Sequence, residues 1–109
     1  MADDTLGRLY ATILGKRGAD PAASYTAKLF AEGTPKIAQK VGEEAVELVI
    51  EALRKRPERL VAESADLLYH LLVLWADAGI APDRIWAELE RREGVSGYAH
   101  VGAEQAKET

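Results

Sequence analysis

Five acidic residues of this chain are spaced so that they could hold a cation. Glu43, Glu44 and Glu47 lie within one and a half helical turns, and Glu63 and Asp66 are a second set three residues apart. Residues three or four apart share a helix face, so each set presents its carboxylates together. Like charges at that spacing repel, and burying them without a partner or a metal is costly. Glu44 falls at the edge of an apolar stripe made of Ile37, Val41, Ala45, Leu48, Val49, Ala52 and Leu53. Something positive is therefore expected between the two sets. Carboxylates in a chain without cysteine select a hard cation with oxygen ligands, Mg2+ first, and Mg2+ commonly engages substrate phosphates. Taken alone, Glu43 and Glu51 read equally well as a solvated face. A carboxylate-bridged iron site fits poorly, because it wants Glu-x-x-His repeats and here Glu63 is followed by Asp66.

Two helices must carry these sets. The first acidic set sits in a helical pattern from about Pro35 to Arg56, and the second in one from about Glu58 to Ala78. Pro57 breaks the chain between them and makes a hairpin the economical connection. Counting about 1.5 Å per residue away from the hairpin brings Glu44, Glu47, Glu63 and Asp66 to similar heights on antiparallel neighbours. The second helix is apolar nearly all round, interrupted only by Arg59, Glu63, Asp66, His70 and Asp77. His70 lies on that acidic stripe, where it could be a hydrogen-bonded core histidine, hold a carboxylate or meet a substrate. Lys28, Lys36 and Lys40 precede the acidic set. Lys40, one turn from Glu44, could pair with it or reach a phosphate.

Shorter helices complete the pattern. Leu6, Leu9, Tyr10, Ile13 and Leu14 are spaced for a helix over about Thr5 to Lys16. Ser24 is a plausible N-cap for a helix from Tyr25 to Glu32, with Gly33 past its end. Thr34-Pro35 suits a cap and first helical position. A last helix is expected over about Asp83 to Arg92. With no strand alternation, the fold class is all-α, an antiparallel helical bundle. The second long helix is too apolar for one chain of 109 residues to cover. A homodimer is therefore expected, its four-helix core covering Leu67, Leu71, Leu74 and Trp75.

Composition closes off other classes. A net charge of −4 argues against nucleic acid as a partner. No apolar run reaches membrane-spanning length and no basic-then-apolar leader is present, so a cytoplasmic protein is expected. No phosphate-cradling glycine loop and no Ser-His-Asp arrangement is found.

The pattern Glu43-Glu44-x-x-Glu47 followed by Glu63-x-x-Asp66 is similar to the signature of the all-α nucleoside triphosphate pyrophosphohydrolases, the MazG-like superfamily. Its surroundings narrow the likeness. Ser24 to Phe30, Ile37 to Glu47 and Ala65 to Leu74 closely resemble the phosphoribosyl-ATP pyrophosphohydrolases of histidine biosynthesis, as does Arg91 to Gly97. The resemblance implies one such domain over residues 1–97 and a divergent tail over 98–109, expected to be mobile. It implies Mg2+-dependent hydrolysis of phosphoribosyl-ATP to phosphoribosyl-AMP and pyrophosphate by an all-α dimer. Matched by position, Glu44, Glu47, Glu63 and Asp66 would be metal ligands, with Glu43, Glu44 and Glu47 in the catalytic set and Glu43 an acid either outside the direct ligands or orienting water. Lys28, Lys36, Lys40 and His70 would meet the substrate. The alternatives are a broader pyrophosphohydrolase acting on NTPs or dNTPs, and a non-enzymatic helical dimerisation module.

Overall fold

The structure, a computed structural model, describes residues 4–93; the expected tail and His100 lie outside the described residues. Five helices follow one another: α1 (Thr5–Leu14), α2 (Tyr25–Glu32), α3 (Thr34–Leu53), α4 (Pro57–Asp77) and α5 (Pro82–Glu93). No strand occurs among the described residues, and the all-α expectation holds.

Local chemistry fixes most of the helix ends. Ser24 caps α2 by accepting from the Ala27 amide at 3.1 Å, which satisfies one of the free amides of a helix start. Gly33, at φ +93°, ψ 177°, ends α2 and also caps α3, so a single residue makes the corner. Thr34 is the first residue of α3 rather than its cap, and its hydroxyl bonds Asp77 of α4 instead. The end of α3 is tighter than the sequence suggests. It stops at Leu53, and Lys55 takes a left-handed φ of +57°. At the end of α4, Gly79 has φ +75°, and Ile80 N–H reaches back to Trp75 O at 2.8 Å. That is the six-to-one closure of a left-handed helix cap.

Helices α3 and α4 form the antiparallel hairpin, with α1 and α2 packed on one end of it and α5 against α1. The core lies at that end. Ile13 of α1, Leu29 of α2, Ile37 of α3, and Leu72, Val73 and Ala76 of α4 are buried together. Tyr10 Oη–H donates to Ile80 O at 2.9 Å, and Trp75 meets Trp86 edge-on at 6.2 Å, tying α1 and α5 to the end of α4.

The hairpin end of α3–α4 has no third layer among the described elements, and its apolar side chains show it. Val46, Val49 and Leu53 on α3 and Val61 and Leu68 on α4 are exposed, Leu53 at 77% and Val61 at 70%. The surplus apolar surface is therefore real but differently placed than expected. Leu67, Leu71, Leu74 and Trp75 are half-buried within the single chain, Leu74 and Trp75 against the core. The reason is that α1 and α2 already cover the far half of α4.

Candidate metal centre

Midway along the hairpin, α3 and α4 bring Glu44, Glu63 and Asp66 together, one carboxylate oxygen of each lying within 4.8 Å of the others. Glu63 is the innermost, 9% exposed. Its Oε2 is buried with no hydrogen-bond partner. A buried carboxylate oxygen left unpartnered is costly unless a cation meets it. Burial, then the adjoining Glu44, then the charges of Asp66 and Glu47 push the Glu63 carboxyl up from its ordinary value. Three converging oxygens, no nitrogen or sulfur, and one orphaned atom fit a hard divalent cation such as Mg2+. Glu47 stands apart from this triad, exposed to solvent, although its charge is felt by Glu63.

Cations line the start of α3. Lys40 Nζ is 3.4 Å from Glu43 and 4.0 Å from Glu44. Tyr25 beside it, then Glu43 and Glu44, hold its ammonium above the ordinary value. Glu43 is an exposed acid that accepts from Gln39 at 2.9 Å; that bond and Lys40 hold its carboxyl below the ordinary range. Lys36, half-buried one turn earlier, adds to the same field. Lys28 is elsewhere, on α2, where it lines an open pocket with Tyr25.

His70 is 5% exposed. One nitrogen, Nδ1, is 2.7 Å from Asp66 O, and Nε2 is 3.0 Å from Tyr25 Oη. A carbonyl only accepts, so Nδ1 carries a proton, and in the neutral ring Nε2 then accepts from the Tyr25 hydroxyl. Both nitrogens are thus committed to protein groups, and His70 braces the Asp66 backbone and the Tyr25 hydroxyl. Tyr69 stacks near Tyr25 at 6.3 Å and bonds Thr26. These tyrosines carried no sequence signal beyond their place in the resembled segments, because their role depends on α2 crossing the hairpin.

Glu51, which could have been a solvated face residue, is 2% exposed. It takes two bonds from Arg56, at 3.1 and 3.2 Å, with Arg59 at 3.7 Å and Arg54 at 3.9 Å. It clamps the hairpin and stays outside the acidic triad.

Comparison with known proteins agrees with this geometry. Residues 6–93 match the family model described as phosphoribosyl-ATP pyrophosphohydrolase. The phosphoribosyl-ATP pyrophosphatase of Azospirillum brasilense is 59% identical, over 97% of this chain and 100% of that protein. Those of Rhodospirillum rubrum and Paramagnetospirillum magneticum are each 61% identical, over 92% and 89% of this chain and 86% and 91% of their own lengths. With the match spanning all five helices and the acidic triad at their centre, the chain belongs to the phosphoribosyl-ATP pyrophosphohydrolase family.

Proposed function

We propose that the chain hydrolyses phosphoribosyl-ATP to phosphoribosyl-AMP and pyrophosphate, a step of histidine biosynthesis, using Mg2+. The observation that carries the metal part is Glu63 Oε2, buried and unpartnered against Glu44 and Asp66. Glu44, Glu63 and Asp66 would hold the ion, with Glu47 joining from its exposed position on α3. Bound Mg2+ would offset phosphate charge and polarise the phosphorus under attack. The chain's own groups do the rest. Lys40, fixed between Glu43 and Glu44, offers its ammonium to phosphate oxygens. Glu43, held anionic, accepts a hydrogen bond from a water and orients it. Lys36 adds positive potential at the same helix start. His70 fixes the Asp66 backbone, so the Asp66 carboxylate keeps its aim.

We also propose that the protein works as a homodimer, paired through the bare half of α3–α4. Val46, Val49 and Leu53 recur on one face of α3, and Val61 and Leu68 on one face of α4. A second copy covering them would bring its own charged side chains near Glu47. Among the described residues no helix is long and apolar enough to cross a membrane, and a cytoplasmic setting suits a nucleotide substrate.

The test of the activity is pyrophosphate release from phosphoribosyl-ATP with and without Mg2+, alongside a panel of NTPs and dNTPs at equal concentration. Release that requires Mg2+ and favours phosphoribosyl-ATP is expected. Equal turnover of dNTPs would replace the specific substrate by a broad one. No release from any nucleotide by a folded sample would leave only a dimerisation module.

A further inference from the structure

Tyr25 is shared by two places. Its hydroxyl donates to His70 beside the acidic triad, while the residue is 49% exposed and walls a pocket at the start of α2. That pocket, about 540 Å³, is lined by Pro21, Ala22, Ala23, Ser24, Tyr25 and Lys28. Its volume falls in the range of small-molecule sites. The walls are braced rather than loose. Asp20 Oδ1 accepts from the Ala22 amide at 3.0 Å, and Ser24 caps α2. Lys28 lies three residues beyond Tyr25, on the same side of α2. No ion pair among the described residues involves it.

The pocket thus offers a flat aromatic ring, a wall of small side chains and an uncommitted ammonium. An aromatic face takes a nucleobase, and an ammonium takes a phosphate. Small walls leave room for a sugar between them. The substrate proposed above has those parts in that order. Its triphosphate is at one end, the adenine in the middle, and a ribose bearing a second phosphate is attached to the base at the other end. Tyr25 reaches His70 beside the acidic triad and shares its pocket with Lys28, so a ligand with its triphosphate at the triad would meet Tyr25 before Lys28.

Resting on that reading of the substrate, we infer that the pocket at the start of α2 is the subsite for the phosphoribosyl end, with Tyr25 as platform for the base and Lys28 as the ligand of the second phosphate. It separates this substrate from an ordinary nucleoside triphosphate, which has nothing to put there.

The test is equilibrium binding, without metal, of phosphoribosyl-AMP and of AMP, which differ only in the phosphoribosyl group. Titration calorimetry on the wild type, Lys28→Gln and Tyr25→Ala gives the affinities, and circular dichroism checks the folding of each variant. The wild type should bind phosphoribosyl-AMP at least about tenfold more tightly than AMP, as one charge-assisted contact allows. Lys28→Gln should lower that ratio by about tenfold, and Tyr25→Ala should weaken both ligands, since both stack. A ratio unchanged by Lys28→Gln overturns the subsite. Pyrophosphate release from phosphoribosyl-ATP by the wild type separates the two readings: release with an unmoved ratio refutes the pocket alone, and absence of release refutes the substrate itself.

Discussion

Glu63 is buried among like charges with one oxygen unmatched. Its carboxylate opposes folding until a cation arrives, so one substitution should push stability in opposite directions. Glu63→Gln should raise the melting temperature of the metal-free protein by a few degrees. It should weaken Mg2+ binding and lower activity by at least about tenfold. Thermal scans with and without Mg2+ check this: a wild type that gains no more from Mg2+ than the variant does would remove Glu63 from the ligand set. Glu44, Glu63 and Asp66 could be singled out in the sequence because i, i+3 spacing and a proline hairpin suffice to place them. Tyr25 could not, since its partners are 45 residues away in the chain. Glu51 was equally opaque: only the hairpin geometry brings Arg54, Arg56 and Arg59 around it.

At the hairpin, one buried acid is shared by three half-exposed to exposed guanidinium groups. The asymmetry has a consequence. Loss of one arginine leaves Glu51 two partners, whereas loss of Glu51 leaves three cations crowded at the end of α3. Glu51→Ala should cost about 2 kcal/mol, within the span for broken ion-pair networks. Arg54→Ala should cost under about 0.5 kcal/mol, as for other surface pairs. Urea unfolding at neutral pH measures both, and equal losses would mean that the clamp does not act through the acid. The helices themselves were readable from period and from Pro57 and Gly33. The sharp end of α3 was not, because Lys55 is a side-chain-bearing residue in a conformation that usually selects glycine.

Among the described residues the molecule is lopsided, with its core at one end of the hairpin and bare apolar stripes at the other. Sequence patterning registered the excess apolar surface of α4 but put it at Leu67, Leu71, Leu74 and Trp75, because periodicity alone does not say which half α1 and α2 cover. Full burial of a Leu or Val side chain is worth roughly 1.5–3 kcal/mol, enough for the stripes to drive pairing. Sedimentation at micromolar concentration should give a dimer. Val49→Asp combined with Leu53→Asp should give a helical monomer, whereas Val73→Asp, in the core, should unfold the chain. A wild-type monomer at that concentration would contradict the pairing.

One glycine joins the two halves of this site. The acidic triad belongs to the hairpin, whereas Tyr25 and Lys28 ride on α2, whose chain turns into α3 at Gly33 at φ +93°, ψ 177°. That backbone setting belongs almost wholly to glycine. No side chain blocks a methyl group there; Pro35 Cδ would be 3.9 Å away. The obstacle is torsional, and Gly33→Ala would relax by tilting α2 against the core contacts of Leu29. Over eight residues, about 12 Å of helix, a swing of about 10° carries Tyr25 roughly 2 Å. The variant should keep its affinity for Mg2+ and lose its discrimination between phosphoribosyl-AMP and AMP, making this corner a hinge pin through which selectivity can drift while the chemistry stays put.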